Sequence, residues 1–469
     1  MAISTFMGLE TALRGILAQQ EALDTSGHNI ANANTPGYTR ETVALTPFYP
    51  YPAYSIDNPQ GGSQIGGGVD AGTISRARDA YLDNQYRTQN YKSGYDQALT
   101  DGLQQVDQTL AEPSDNGLSS LFSQFYSAWQ NVANDPQSVP ARQALIQSGK
   151  ALADGINSLD SQLSTYVSQN QTLESQTITD LNSYTTQIAS LNTQIKNAMA
   201  VGITPNDLLD QRDALVDKVQ NLVNATPTDN GDGTISLYVG SGANKVDLVD
   251  TSNVQHAVQL DGTGQNLEWN PPGTPAVLAP LTTGKLGGLV QYGNNVQSYL
   301  TSLQGVATQL ISDMHTAQQA GMDLYGHTAT TTPAVTDFFD TGSPGQLIGV
   351  TAAMQADPNL VAAADPTKGL ADGSNAIAAA SMTSASNLYQ TLVTTIGSDA
   401  QAAQRANDAS TSLLQSISNR RQSVMGVSLD EEMTNLLQFQ RGYQASARAL
   451  TAMDDMVNLL INRTGRTGL

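Results

Sequence analysis

The histidines, the carboxylates and two glycine-rich segments are the parts of this sequence whose residue types could carry chemistry. The histidines show neither metal-ligand spacing nor an HExxH or GxSxG context, and they are His28, His256, His315 and His327. The carboxylates are scattered, and their spacing offers no pair for acid–base work. We therefore expect no catalytic, cofactor-binding or metal-binding residues, no cofactor and no enzymatic activity.

Both glycine-rich segments are explained better as turns than as ligand sites. Gly66, Gly68 and Ala71 fit the G-x-G-x-x-A pattern, but a dinucleotide site needs a strand before the glycines, and here a turn-rich segment precedes them. Residues 229–233 resemble part of a calcium loop, yet Gly231 replaces a ligand position and no glutamate closes the loop. We predict a loop at the first segment and a hairpin turn at the second.

The charge balance restricts the partners of the chain. Its 469 residues include 21 basic and 42 acidic side chains, which gives a formal net charge of −21. Such a chain is repelled by polyphosphates, so we expect no nucleic-acid partner. No apolar run approaches the ~20 residues of a membrane span, so we expect no membrane insertion. The first residues lack a basic region followed by an apolar stretch, so we also expect no cleaved secretory signal peptide.

Both ends of the chain carry apolar residues three and four apart, which is the spacing of a coiled-coil seam. The seam residues are Leu9, Leu13, Ile16, Leu23 and Ile30 near the start, and Leu436, Phe439, Tyr443, Leu450, Met453, Val457 and Leu460 near the end. Gly8, Gly15 and Gly27 weaken the first helix by up to ~1 kcal/mol each. We therefore predict that these seams form a partly intermolecular assembly interface.

The remaining surface of the two terminal helices would also need neighbours, because it includes Leu17 and Leu459. Isolated helices are marginally stable without tertiary packing. We therefore expect the terminal helices to be poorly ordered in the free subunit and ordered in an assembly.

Helical patterns fill most of the chain between the two ends. One apolar face consists of Leu118, Leu121, Phe122, Phe125, Trp129 and Val132. Residues 139–199 predict one long helix, whose heptad spacing runs from Leu152 to Leu173, stutters through Thr177 and resumes at Leu181. Such a rod indicates an elongated protein with an intramolecular core along this helix.

Gly-, Pro- and Thr-rich strand patterns interrupt the helices, with the clearest strand at 234–239. We predict a mainly α fold with an inserted β-rich domain, in which the N- and C-terminal helices pair in a coiled-coil-like terminal domain. We expect residues 226–282 to pack separately, so that their deletion leaves the helical bundle folded. The predicted domains are 1–75 with 426–469, 76–225 with 284–325 and 374–425, and 226–283 with 326–373.

Motifs at both ends resemble the rod, hook and hook-associated axial proteins of the bacterial flagellum. The first motif contains Asn29, Ile30, Ala31, Asn32, Thr35, Pro36, Gly37 and Tyr38. The second contains Ser428, Leu429, Asp430 and Glu431, and it narrows the resemblance to the hook-associated members at the hook–filament junction. This second motif is also a capping box, in which Ser428 can cap the helix and Glu431 can reach back to it. His28 stands where the resemblance leads us to expect a small polar residue.

The resemblance implies a structural subunit that joins hook to filament through a ring of identical subunits. It implies as partners the hook protein, a second junction protein or filament, and a cytoplasmic export chaperone on the C-terminal helix. It also implies an extracellular location on the flagellum, reached by type III export. The alternatives are another axial protein of the flagellin or hook type, and a secreted adhesin that binds through the β-rich middle region.

Overall fold

The structure is a computed structural model, and it describes residues 5–49, 66–110, 112, 114, 117–269 and 276–464. The side chain of Leu460, one of the predicted seam residues, lies outside the described part of the chain. None of the described helices is long and apolar enough to cross a membrane.

Long helices dominate the middle of the chain. Four long helices lie between the terminal ones, and they are α2 (Ala80–Leu110), α4 (Val139–Ala200), α6 (Gly284–Ala320) and α9 (Ser384–Met425). Helix α6 packs against each of the other three, and α2 also packs against α9. Shorter helices flank them: α3 (Leu118–Asn134), α5 (Asn206–Leu222) and α8 (Ser374–Ala380). With 62 residues, α4 is about 93 Å long at ~1.5 Å per residue, so the mainly α, elongated architecture is confirmed.

An aromatic cluster occupies the first hydrophobic core. Phe122, Phe125 and Trp129 are buried on α3, as the apolar face predicts. The ring of Phe125 meets that of Phe338 edge-on, with the ring centres 5.7 Å apart. Phe338 also contacts Gly149 of α4, where a Cβ atom would lie 2.7 Å from its ring. The core therefore joins helices to the later segment around Phe338.

Short antiparallel strands surround a second core. One sheet has the order β3 (Ala225–Asp229), β4 (Ile235–Val239) and β5 (Val246–Val249), and another has the order β6 (Gln259–Leu260), β7 (Asn266–Trp269) and β8 (Val277–Pro280). The turn at 229–233 joins β3 to β4, which confirms the predicted hairpin. Gly66–Ala71 leads into a strand, so the loop interpretation of its glycines applies only up to residue 68.

The expectation that residues 226–282 pack separately is wrong. Leu237 and Leu267 from the two sheets share one hydrophobic core with Ile188 of α4, Val219 of α5 and Leu286 of α6. The short strands cannot bury both faces of their sheets by themselves, so the helices cover one face. The inserted β-rich segment is therefore continuous with the second half of the long helix.

Residues 326–373 belong to the first core instead. They contain the two-stranded sheet of β9 (Phe339–Asp340) and β10 (Gly349–Val350), followed by the short helix α7 (Ala352–Ala356). Phe339, Ile348 and Val361 are buried with the α3 aromatics. The two β-containing segments thus contribute to different cores, while the exact domain boundaries remain a prediction.

The stutter in the long helix α4 begins earlier than the heptad spacing predicts. Leu173 is 48% exposed, whereas Glu174 and Thr177 are buried. Asn170 donates from Nδ2 to Glu174 Oε1 at 2.8 Å and to the Leu289 carbonyl oxygen at 3.0 Å. This polar contact with α6 replaces the apolar layer expected at Leu173.

The two chain ends lie side by side. Helix α1 (Thr5–Asn32) packs lengthwise against α10 (Leu429–Thr464), which confirms the predicted pairing of the terminal helices. An antiparallel hairpin of β1 (Glu41–Pro47) and β2 (Val69–Arg76) lies against α1. At Gly68, whose φ is +98°, a Cβ atom would lie 3.3 Å from Thr11 of α1. Glycine therefore allows the close approach of hairpin and helix.

The shared second core predicts how a cavity in the sheet affects the helices. Leu237→Ala removes a fully buried side chain from β4 and should lower the free energy of unfolding by about 2–5 kcal/mol. Hydrogen exchange should accelerate both in the strands and in residues 178–200 of α4. Leu278→Ala, at a residue that is 38% exposed in the other sheet, should cost far less. Faster exchange confined to the strands would contradict the shared core.

Candidate assembly interface and the joint beneath it

Small residues form the face of α1 that meets α10. A Cβ atom on Gly8 would lie 2.1 Å from Met453 Sδ, and one on Gly15 would lie 2.8 Å from Ser446 Oγ. The reverse contact also occurs, because a Cβ atom on Gly442 would lie 2.7 Å from Gln19 Oε1. Glycines that weaken an isolated helix here allow two helices to approach closely.

The predicted seam on α1 is therefore not its most buried face. Leu13 is 48% exposed, and Leu9, Ile16, Leu23 and Ile30 are half-buried. Ala12, Ala18 and Ala22 are buried in their place. On α10 the Tyr443 side chain is 36% exposed. The half-buried seam residues of this helix are Leu436, Phe439, Leu450, Met453 and Val457.

Large apolar side chains remain exposed on the outer faces of both terminal helices. Leu17 is 56% exposed and Leu459 is 54% exposed, as the sequence predicts for these two residues. Five further large apolar side chains of α10 are exposed that the heptad pattern does not single out. They are Leu429, Met433, Leu437, Met456 and Ile461. Large apolar side chains exposed in this number on one pair of helices indicate a candidate interaction surface.

Side chains of the N-terminal motif connect the end of α1 to the start of the hairpin through hydrogen bonds. Asn29 Nδ2 donates to the Glu41 carbonyl oxygen and Asn29 Oδ1 accepts from the Glu41 backbone NH, both at 2.9 Å. The Tyr38 hydroxyl donates to Asn29 Oδ1 at 2.8 Å. Ile30 and Asn32 are half-buried, while Ala31, Thr35, Pro36 and Gly37 are exposed.

The turn of this motif rests on α5. Gly37 has a φ of +84°, and a Cβ atom there would lie 3.2 Å from Ala214 Cβ. The next contact is polar, because the Thr39 backbone NH and hydroxyl donate to the two oxygens of Asp210, at 2.6 and 2.8 Å. The motif thus fixes the start of the hairpin on the helical bundle.

The C-terminal motif makes only half of the predicted capping box. Ser428 Oγ accepts from the Glu431 backbone NH at 3.4 Å, as a cap should. Glu431 does not reach back to Ser428, because its carboxylate pairs with Arg40 Nη1 at 2.9 Å. Leu429 and Asp430 are exposed. The two family motifs therefore meet through an ion pair between Arg40 and Glu431.

Beneath this contact, arginines and aspartates alternate in a network that we call the joint. It consists of Arg76, Arg78, Asp83, Arg87, Asp210, Arg212, Asp213, Asp217 and Arg421. Arg76 at the end of β2 contacts Asp210 at 2.7 Å and Asp213 at 2.9 Å. Arg421 of α9 contacts Asp83 of α2 at 2.7 Å. The joint connects the hairpin to α2, α5 and α9.

Charge compensation offsets the burial of Asp213 and Arg78 within the joint. Burial would raise the pKa of Asp213, but Arg78, Arg212 and Arg76 together lower it below its ordinary value. Burial would likewise lower the pKa of Arg78, but Asp213 and Asp83 raise it. Guanidinium–carboxylate pairs are directional, so they fix orientation as well as charge.

Two open clefts flank the exposed turn of the N-terminal motif. One, of about 600 Å³, lies between that turn and the joint, and Tyr86, Tyr184 and Arg421 are among its lining residues. The other, of about 620 Å³, is lined by His28, Gln187 and Asp207. In the described part of the chain, His28, Glu41 and Asp207 are the group whose donor atoms lie close enough to hold a metal ion.

Family models match three parts of the chain. Residues 103–332 match the flagellar hook-associated protein FlgK helical domain. Residues 9–39 match the flagella basal body rod protein, and residues 418–463 match the flagellar basal body rod FlgEFG protein C-terminal model. The terminal matches coincide with the paired helices and their motifs, so the fold and the termini are those of a structural protein of the bacterial flagellum.

Curated relatives extend this match over the whole chain. Flagellar hook-associated protein 1 of Bacillus subtilis (strain 168) is 31% identical over 99% of this chain and 99% of its own length. The protein of the same name from Escherichia coli (strain K12) is 25% identical over 97% of this chain and 99% of its own length. The chain belongs to the flagellar hook-associated protein 1 family.

One solved structure is also similar, the flagellar hook junction protein FlgK from Burkholderia pseudomallei. It is 23% identical, with a TM-score of 0.49, and the match covers 55% of this chain and 47% of that chain. The relatives are structural flagellar proteins, and they do not favour the flagellin, hook-subunit or adhesin alternatives.

The close approach of the terminal helices predicts different effects for two glycines of α1. Gly15→Leu should separate α1 from α10, because even a Cβ atom there meets Ser446 at 2.8 Å. Gly27→Leu should be neutral or stabilising, since nothing lies within 4 Å of its Cβ position and leucine has the higher helix propensity. Hydrogen exchange in residues 429–463 of the assembled junction measures the difference. Equal protection in the two variants would contradict close pairing.

The lowered pKa of Asp213 predicts a pH dependence of stability. Its contribution is complete above its unfolded-state pKa of about 4 and is lost as the pH falls through the lower folded-state value. Asp213→Asn should cost roughly 3 kcal/mol at pH 7, because it leaves buried guanidiniums without a counter-charge. Its unfolding free energy should also change less than that of the wild type between about pH 5 and 2.

Denaturant titrations at each pH measure both effects. Asp180→Asn, at an exposed position of α4, serves as the control and should leave the stability and its pH dependence unchanged. A parallel decline of the wild type and Asp213→Asn on acidification would show that the joint does not stabilise the fold through this carboxylate.

Proposed function

We propose that this chain is the subunit that joins the flagellar hook to the filament, and that a ring of identical copies assembles through α1 and α10. The observation that carries the proposal is the apolar outer surface of the terminal pair. Pairing covers the small-residue face of α1, while Leu17, Leu437 and Leu459 remain more than half exposed. Burying such surface against neighbours contributes about 25 cal/mol per Å².

The predicted interface residues fit this proposal in two groups. Met453 lies against α1 within the subunit, so it would support assembly indirectly by holding the pair together. Leu13 is exposed and would contact a neighbouring copy directly. The exposed residues Met433 and Met456 extend the surface along α10. Flexible methionine side chains suit contacts with more than one partner.

The exposed surface of the terminal helices also supports contacts with particular flagellar partners. The hook protein would contact the ring on one side, and a second junction protein or the filament on the other. Before export, a cytoplasmic chaperone would cover α10, because its exposed apolar residues carry a risk of aggregation. The family membership supports export by the type III apparatus to an extracellular position at the hook–filament junction.

The proposed function is structural, without catalysis. The acidic and basic groups of the joint compensate one another, and arginine is always protonated, so this network offers no general base aimed at a substrate. The cleft between the N-terminal motif and the joint is open, and Asp213 and Arg421 in its lining are already paired within the joint. We therefore expect this network to hold the elements together rather than to bind a reactant.

A charge on the outer face of α1 should block assembly and leave the fold intact. Leu17→Asp replaces a residue that is 56% exposed, so the melting temperature of the purified subunit should hardly change. In cells that lack the native gene, the variant should fail to appear at hook tips, and the filament should be missing. Purified hook–basal bodies, probed with an antibody to this chain, measure incorporation.

Leu413→Asp is the matched control, because Leu413 is a leucine of α9 that is 51% exposed and lies outside the terminal pair. This variant should be incorporated and should support motility. Normal incorporation of Leu17→Asp, or equal failure of both variants, would contradict assembly through the outer face of the terminal helices.

A further inference from the structure

His28 lies where three elements of the fold meet. It belongs to α1, and its ring stands between Glu41 of β1 and Asp207 of α5. His28 Nδ1 is 3.5 Å from Glu41 Oε2, and Nε2 is 3.8 Å from Asp207 Oδ2. One donor atom from each of the three residues lies within 4.8 Å of the others. The two carboxylates face different ring nitrogens, so an ion bound to one nitrogen would draw in both carboxylate oxygens over a short distance.

Glu41 supplies an independent indication of a ligand. Its side chain is only 9% exposed, and no hydrogen bond to its carboxylate occurs within the described residues. The backbone NH and carbonyl oxygen of Glu41 both bond to Asn29, and its carboxylate faces His28 Nδ1. Burying a carboxylate is costly unless a cation or hydrogen bonds compensate it.

The surroundings carry an excess of negative charge. The Tyr38 hydroxyl lies 3.3 Å from His28 Nδ1. Burial, together with the negative charges of Glu41 and Asp207, raises the pKa of the Tyr38 hydroxyl. Asp210, which also acts on Tyr38, is compensated by Arg76. Within the described residues, Glu41 and Asp207 have no ion pair other than the one with His28.

We propose that His28, Glu41 and Asp207 bind a divalent transition-metal ion of the Zn²⁺ class. One imidazole nitrogen, two carboxylate oxygens and a water molecule would complete a four-coordinate site. Mg²⁺ and Ca²⁺ suit the site poorly, because they prefer six or more oxygen ligands.

Binding requires only a small movement. Ligand atoms around a tetrahedral zinc ion are about 3.3–3.6 Å apart, given metal–ligand distances of ~2.0–2.2 Å. The Asp207 side chain is 58% exposed and has room to move toward the ring, whereas Glu41 is only 9% exposed and already lies beside it. The ion would then connect α1 and β1 directly to α5, beside the arginine–aspartate joint. This role does not depend on the proposed place of the chain in the flagellum.

Calorimetric titration of the full chain with ZnCl₂ tests the site. We expect one equivalent to bind, and His28→Gln and Asp207→Asn each to weaken binding at least tenfold. His315→Gln is the matched control, because His315 pairs with Asp337 at 2.7 Å but has no third ligand within the described residues. It should bind as the wild type does. Co²⁺ should give the visible absorption of a four-coordinate ion in the wild type and in this control.

Thermal melting with added ZnCl₂ or MgCl₂ gives a second readout. Zn²⁺ should raise the melting temperature of the wild type and of His315→Gln but not of the two site variants. If His28→Gln loses its circular dichroism signal, the binding measured for Asp207→Asn decides whether the site exists. The Asp207 side chain is largely exposed, so its replacement should leave the fold intact. Absent binding by the wild type, unchanged binding by Asp207→Asn, or an equal shift with Mg²⁺ would overturn the proposal.

Discussion

The arginine–aspartate joint is the constraint on which the arrangement of the terminal helices depends. The hairpin that follows α1 ends at Arg76, and the carboxylates that receive it lie on α5. Arg421 makes the same kind of contact near the end of α9, shortly before α10 begins. The chain therefore crosses the joint twice, once between the hairpin and α2 and once near the end of α9, before α10 begins. An apolar contact of equal size would hold these elements together but would fix their mutual orientation less strictly.

The terminal pair itself combines a close contact with a large uncovered surface. Gly8 and Gly15 let α10 approach α1 so closely that little large apolar surface is buried between them. The larger side chains, such as Leu17 and Leu459, then point away from the pair. In the proposed assembly, neighbouring copies would cover these exposed side chains at the ends of the subunit.

Periodicity predicted the elements with continuous apolar faces. The α3 face containing Phe122 and Trp129 was correct because large side chains at helical spacing leave few alternatives. On α1 the face that is most buried within the subunit is rich in alanine and glycine, which carry little hydrophobic signal, so periodicity selects the larger, less buried side chains instead. Leu173 was also assigned to the wrong face, since a polar contact of Asn170 decides the local register. The family motifs indicate a structural protein of the flagellum from a few residues alone, and the family matches agree with them.

The joint could not be predicted, because its partners are far apart in sequence. Nothing in the sequence near Arg421 indicates that it forms ion pairs with Asp83 and Asp217. The same holds for His28, whose spacing to the other histidines gives no metal signal although the fold brings Glu41 and Asp207 to it. The sharing of one core by the strands and α4 was missed for a related reason: a local strand pattern does not reveal which surface covers it.

Hydrogen exchange on the purified subunit and on the assembled junction shows whether neighbouring subunits complete the terminal helices. We expect fast exchange of amides in 5–33 and 429–463 in the free subunit, slow exchange in 152–195, and strong protection of all three segments in the assembly. Terminal amides that are as protected in the free subunit as those of 152–195 would contradict it.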